Sequence, residues 1–392
     1  MRLIYRFSGP VTNKVIHSQV VGTLAALRDE GVEVDLAAWC GLGHALRHLP
    51  AYREAGAVLR RRFQAPLAVR WTIDRWPWLD RRLKDRELRR AVGQAGAQKL
   101  VLQTRSADMA ALMALLRRSR PALRFVYELR GDSIAEQDYR IGPRPAPERR
   151  RAVDRLSRDL AAADLVLCVS RRLAHLVAER HGVAAERLHV MPCTADENCF
   201  RRDEGERMVR RRDLGLAERD FLLVYSGSLR KGWDAPALLG AFLHANLSAE
   251  PGLQVLLLSP DHAAAAALAT RLPAGRVHCR SSDHWGMPAW LSAADAGLLL
   301  REDHPLNAVA SPTKAAEMLL CGLPLVISPA VGDYSEWVAR AGLGVVATEH
   351  LLPAGAWSRL RGLDPAHIRQ EALEQVGRGG PIRRLAARLR EL

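Results

Sequence analysis

The apolar positions of this chain fall in short unbroken runs, separated by amphipathic stretches of helical length. In the first half the runs are RLIYRF (2–7), VEVDLAAW (32–39), KLVLQT (99–104), RFVYEL (124–129), LVLCVS (165–170) and RLHVMP (187–192). In the second half they are DFLLVYSGS (220–228), LQVLLLS (253–259), RVHCR (276–280), AGLLLR (296–301), PLVISP (324–329) and LGVVA (343–347). Continuous runs rich in Val and Leu are the mark of strands covered on both faces of a parallel sheet. Strand–helix alternation that occurs twice predicts two doubly wound α/β halves.

The segment 193–213 is polar, charged and without apolar periodicity, and reads as the link between halves. The predicted domains are 1–200 and 201–375. A basic amphipathic helix over 376–392 follows a Gly-Gly-Pro break and is expected to return to the first domain. Residues 52–92 stand apart, with Trp71, Trp76 and Trp78 among many arginines. Two readings are open there. One is an interfacial helix pair with indoles at headgroup depth and arginines on lipid phosphates. The other is an amphipathic helical insertion whose tryptophans face the core.

Composition narrows the class. Of the 392 residues, 48% are apolar and 26% charged, an ordinary globular balance with room for two cores. No apolar run approaches the ~18 residues of a membrane span, and the opening MRLIYRFSGPVTNK is too weakly apolar for a signal peptide. A cytoplasmic protein is expected, peripheral to the membrane if 52–92 touches lipid. The six cysteines show no CxxC and no zinc-ligand spacing, and read as reduced thiols. The net charge of +15 is lopsided: 35 Lys+Arg face 22 Asp+Glu in residues 1–200, against 23 and 21 in 201–392. A basic half attracts an anionic partner: nucleic acid, a membrane surface or an acidic substrate. Nothing resembles a nucleic-acid motif, so nucleic acid ranks last.

Ligands of doubly wound sheets sit at the carboxyl ends of the strands, which directs attention to five loops. YSGSLRKGWD (225–234) offers Gly227, Ser228 and Lys231 as a diphosphate cradle, with a helix starting near Asp234. In LREDHPLNAVASPTK (300–314), Ser311 fits an N-cap and Pro312 the first helical position. Lys314 lies where a cation is unfavourable for the helix itself, and Glu317 lies one turn on. The pair fits a phosphate-facing cation and a ribose-facing carboxylate, or equally a plain i,i+3 surface pair. Gly332 and Asp333 follow a strand in SPAVGDYSEWV (328–338). In the first half RFSGPVTNK (6–14) supplies Ser8, Gly9 and Asn13, and YELRGDSIAEQDYR (127–140) supplies Arg130 and Asp132.

The stretch SAADAGLLLREDHPLNAVASPTKAAEMLLCGLPLVISPAVGDYSEWV (292–338) resembles the donor region of retaining glycosyltransferases of the GT-B architecture, in the large family numbered four. The likeness runs from about 160 to 347. Before that it is confined to strand–helix order and the YELRGD loop. The resemblance implies two Rossmann-like domains with parallel sheets facing across a cleft, and a nucleoside-diphosphate sugar as donor. Lys231 matches a lysine on the donor diphosphate and Glu317 the carboxylate on the donor ribose. The family's other glutamate falls at Val309 and is missing here, which leaves Asn307, Ser311, Thr313 and backbone near 308–310 for the sugar. Arg280 falls in the loop that meets the base. Arg130 and Asp132 fall near the place of a catalytic histidine, and with Lys231 are the catalytic candidates. Ser8, Gly9, Asn13, Gly332 and Asp333 are candidates for the acceptor or cleft loops. No cofactor and no essential metal are expected. The expected partners are the donor, a glycan or lipid-linked acceptor and an anionic membrane, with a role in surface polysaccharide synthesis. The rival reading is a catalytically silent sugar-nucleotide-binding scaffold. A basic nucleic-acid-binding protein and a nucleotide-sugar epimerase come behind it.

Overall fold

A computed structural model describes residues 1–9, 12, 16–63, 67–72, 77–96, 99–229 and 235–392. Within them the side chains at 17–18, 58–63, 67–72, 77–81 and 84 are not described. Asn13, Trp76, Lys231 and Asp234 therefore lie outside the described residues.

The chain forms two compact units: Met1–Met191 with Pro381–Leu392, and Pro192–Gly380. The first holds β1 (Arg2–Ser8), β2 (Glu33–Gly41), β3 (Leu67–Thr72), β4 (Leu100–Thr104), β5 (Arg124–Leu129), β6 (Leu165–Cys168) and β7 (Leu188–Val190). They form one parallel sheet in the order β3-β2-β1-β4-β5-β6-β7. The second holds β8 (Phe221–Ser226), β9 (Leu253–Leu258), β10 (Val277–Arg280), β11 (Ala296–Leu299), β12 (Leu325–Ile327) and β13 (Gly344–Val346). Their sheet is also parallel, in the order β10-β9-β8-β11-β12-β13.

Alternation explains why the runs are continuous. Successive strand residues point to opposite faces, and helices cover both. Leu222 and Val224 of β8 join the cluster with Met318, Leu319 and Trp337, whereas Phe221, Leu223 and Tyr225 join Phe242, Leu243 and Trp357 on the other face. All six second-half windows are strands.

Three expectations change. First, 52–92 is not wholly helical: between the helices Leu49–Phe63 and Pro77–Gln94 the chain forms β3, the edge strand beside β2. LAVRWT is apolar and β-prone enough to pair, and the abundant arginines around it hid the run. Second, the 193–213 link contains the helix Glu204–Asp213, capped by Asp203 Oδ1, which accepts the Glu206 N–H at 2.9 Å. Arg207 and Arg211 fix this helix to Asp295 at 2.5 and 3.1 Å. Third, the units divide at 191/192 and 380/381 rather than at 200/201 and 375/376. The Ala195 N–H donates to the Val376 carbonyl at 3.0 Å, and the Glu197 carboxylate accepts the N–H groups of Arg378 and Gly379. Both stretches therefore belong to the second unit.

The terminal helix Gly379–Glu391 places Ile382, Leu385, Ala386 and Leu389 in the same cluster as Leu3, Tyr5 and Leu167 of the first sheet. Cys168, Cys279 and Cys321 are free thiols. Among the described residues no helix is long and apolar enough to cross a membrane.

Leu385 is fully buried, so Leu385→Ala should cost about 2–5 kcal/mol through lost burial and the cavity left behind. Urea denaturation followed by circular dichroism checks this. An unmoved transition would mean that the terminal helix adds nothing to the first unit.

Candidate functional site

In each sheet the strand order reverses direction at one place: between β1 and β4, and between β8 and β11. The carboxyl ends at such a switch point diverge and leave room for a ligand.

At the second switch point β8 ends in Ser226 and turns at Gly227, whose φ of +151° favours glycine. The Gly227 N–H continues the ladder to the Leu258 carbonyl at 3.0 Å. The Ser228 hydroxyl donates to Asp261 Oδ2 at 2.6 Å, and the same oxygen accepts the Leu229 N–H at 3.0 Å. Tyr225 donates its hydroxyl to the Ser228 carbonyl at 2.7 Å, closing the turn. Asp261 was not singled out in the sequence; its signal is only its place after a strand.

The chain leaving β11 is held by buried polar groups. Ser328 Oγ accepts the Arg301 N–H at 2.9 Å and donates back to its carbonyl at 3.0 Å. Asn307 is buried, receives Arg301 Nη1 at 3.3 Å and donates to the Glu302 carbonyl at 3.0 Å. The Gly332 N–H donates to the Asn307 carbonyl at 2.9 Å. Gly332 has φ +50°, and a Cβ there would stand 1.9 Å from the Ala310 carbonyl oxygen. Asn307 and Gly332 thus shape the loop. Val309 is 6% exposed and packs into it. Asp333 lies at the start of the Tyr334–Ala341 helix without capping it through its side chain.

Ser311 is not the N-cap expected of it. Pro312 occupies that position, without a side-chain cap, and the helix is Thr313–Leu320. The Ser311 hydroxyl instead accepts the Cys193 N–H at 3.0 Å. That bond holds the segment that enters the second unit.

The two charged residues of this helix turn towards Tyr225 and His284. Lys314 Nζ sits 5.1 Å from the centroid of the Tyr225 ring, at the end of β8. Its cation therefore lies beside β8 rather than on a remote surface. The Glu317 side chain is 15% exposed, with Oε1 3.9 Å from His284 Nδ1. Burial raises its carboxyl from the usual 4.5 to about 7, with Lys314 pulling in the opposite direction. A desolvated carboxylate is not a plain surface pair. His284 in turn packs edge-on against Phe200 and Trp285, at 5.2 and 5.1 Å between centroids. Arg280 ends the edge strand β10, exposed, with Nη1 on the carbonyl of Cys279.

The first switch point carries a cluster of which the sequence reading singled out only Arg130. Glu128 of β5 is buried and accepts Tyr5 Oη and Gln103 Nε2, each at 2.9 Å on Oε2. Its Oε1 accepts Arg105 Nη2 at 2.8 Å and Arg130 Nη1 at 3.3 Å. Burial would push this carboxyl up, but the two guanidiniums outweigh it and hold it down at about 2. The available signal was an acidic residue inside an otherwise buried strand. Arg130 also donates to Gln19. Asp132 takes a different part: Oδ1 caps the Ser133–Ile141 helix at the N–H groups of Ile134 and Ala135, and Oδ2 pairs with Arg180 at 2.7 Å. Ser8 is exposed, 3.4 Å from the Ser106 hydroxyl, and Gly9 (φ +149°) donates its N–H to the Trp39 carbonyl. Among the described residues no three His, Cys, Asp or Glu side chains gather as a metal site.

Residues 17–198 match the family model described as Glycosyltransferase Family 4. Most of the match lies before residue 160, where the likeness in the sequence was confined to strand–helix order and one loop. No curated protein matches the sequence. Among solved structures, the chain resembles Anabaena Alr3699/HepE crystallised with UDP, at 13% identity and TM-score 0.66 over 100% of both chains. The same Anabaena protein with UDP-glucose gives 16% and 0.64 over 100% of both. The lipopolysaccharide outer core galactosyltransferase WaaB gives 11% and 0.61 over 100% of this chain and 99% of that one. At these identities the likeness is one of fold: two α/β units with parallel sheets, the GT-B fold.

Two outcomes follow from the geometry. Folded Glu317 keeps its proton between pH 4.5 and 7, where the unfolded chain has released it. Its contribution to stability is thus complete below pH 4.5 and lost as pH rises through 7. Glu317→Gln should flatten that loss and exceed the wild type by up to ~3 kcal/mol above pH 7, read from urea midpoints across pH. Gly332→Ala should destabilise by about 1–3 kcal/mol from its φ alone, and further from the overlap with Ala310. A melting temperature equal to the wild type would show that the loop yields freely.

Proposed function

We propose that the chain transfers a sugar, with retention, from a nucleoside-diphosphate sugar to a glycan or lipid-linked acceptor in cell-surface polysaccharide synthesis. One observation carries the reading. A single helix delivers Lys314 to the end of β8 and Glu317, desolvated, one turn behind it. A diphosphate suits the Gly227–Ser228 turn, Lys314, Lys231 and the positive end of the helix. A ribose diol suits Glu317, whose oxygens can accept from both hydroxyls. The family match and the nucleotide complexes of the structurally similar Anabaena protein support the same reading.

As the bond from the sugar to the diphosphate breaks, negative charge grows on the leaving oxygen. Lys231, Lys314 and the helix end stabilise that charge as it develops, without a metal ion. The acceptor hydroxyl oxygen then bonds to the anomeric carbon on the face the diphosphate leaves, and its proton passes to the departing phosphate oxygen. Asn307 acts here by fixing the loop, and backbone of 308–310 and Thr313 remain for the sugar. Arg280 is assigned to the base. Asp132 positions the 130–135 turn beside Arg130, since its carboxylate serves the cap and Arg180. The basic first half suits an anionic acceptor or lipid surface on the cytoplasmic face of the membrane.

A thermal-shift series with UDP, GDP, ADP, dTDP and CMP should show one nucleotide raising the melting temperature, because it binds only the folded chain. With that nucleotide, Lys314→Ala should weaken binding about tenfold, equivalent to about 1.4 kcal/mol. No shift with any of the five removes the reading. Tight nucleotide binding with neither transfer nor hydrolysis of the sugar nucleotide would leave a silent binding protein.

A further inference from the structure

Glu128, Arg105 and Arg130 are left over by the donor site, and they stand at the other switch point. Tyr5 comes from β1, Gln103 from β4 and Glu128 from β5; Arg105 and Arg130 leave the ends of β4 and β5. Both guanidiniums close on one oxygen of one carboxylate. The Glu128 side chain is 8% exposed, while those of Arg105 and Arg130 are 19% and 22% exposed. The anchor is therefore buried and the cations reach towards solvent.

Stability alone is a poor reason for such a cluster. Taking a carboxylate and two guanidiniums out of water is costly, and apolar packing of similar volume commonly does as well or better. What the cluster does supply is orientation. Glu128 has both oxygens filled, by Tyr5 and Gln103 on one side and the arginines on the other. The two planar forks are held close together against their mutual repulsion. Two guanidiniums thus stand on one carboxylate at the end of the sheet where ligands bind. The exposed hydroxyls of Ser8 and Ser106 lie at the same strand ends.

We infer that the carboxyl ends of β1, β4 and β5 form an oxyanion-binding site in which Arg105 and Arg130 are the ligands and Glu128 is the positioning residue. Resting on the transferase reading, the occupant is a phosphate or carboxylate carried by the acceptor. The site itself stands without that reading. A guanidinium fork matches the oxygens of either group in two parallel hydrogen bonds, which an ammonium cannot reproduce.

The test is calorimetric titration of the full chain with inorganic phosphate and, separately, with glucuronate, at constant ionic strength. It compares the wild type with Arg105→Lys and Arg130→Lys. These variants keep the charge beside Glu128 and lose the fork, and melting temperatures confirm that each is folded. About tenfold weaker binding of phosphate, of glucuronate or of both in each variant supports the site, and the anion affected tells a phosphorylated acceptor from an acidic sugar. No binding of either anion to the wild type, or unchanged affinity in both folded variants, overturns it. UDP is titrated in parallel. Anion binding that depends on the arginines with no response to any nucleotide supports the site while removing the donor reading; the reverse pattern removes the site alone.

Discussion

The second unit depends on one close approach. The Gly332 α-carbon lies so near the Ala310 carbonyl that no side chain fits between them. The loop after β12 therefore lies directly on the loop after β11, and the Gly332 N–H closes on Asn307. Asn307 in turn holds Glu302 and Arg301, and Ser328 holds Arg301 from below. The start of the Thr313–Leu320 helix inherits its position from this lattice. Lys314 and Glu317 are long side chains with many rotamers, and their placement is only as good as the backbone that carries them.

The two switch points show how neighbours decide the state of the same side chain. Glu128 and Glu317 are both desolvated carboxyls. Two guanidiniums and two neutral donors hold Glu128 ionised far below neutrality, whereas Glu317, helped chiefly by Lys314, titrates near neutral pH. Burial acts alike on both, and the number of cations within reach decides. The first is a permanent charge suited to anchoring. The second is an acceptor whose ionisation a bound diol would favour.

The strands of the second sheet were legible because both their faces are covered, which forces unbroken apolar runs. β3 was not, because it is a short edge strand set among arginines. Lys314 and Glu317 stood out as charges on an otherwise apolar helix. Ser311 misled: Ser-Pro before a helix is the usual cap signature, yet its hydroxyl is claimed by Cys193, 118 residues away in sequence. No local pattern reports such a partner. The same holds for Glu128, whose four donors come from β1, from β4 and from the loops after β4 and β5. A buried network is a property of the fold, so the chain shows only one misplaced charge in RFVYEL.

The first unit is not continuous in sequence. Its core includes Ile382, Leu385 and Leu389, which follow the whole of the second unit. During synthesis on a ribosome, residues 192–380 have emerged as a complete unit before the last piece of the earlier one exists. The usual order, in which the N-terminal domain folds first, is thus inverted for the final step. The first unit waits, with part of its apolar core uncovered, until residues 381–389 have been made. A chain that stopped at residue 380 would have a finished second unit and an unsealed first.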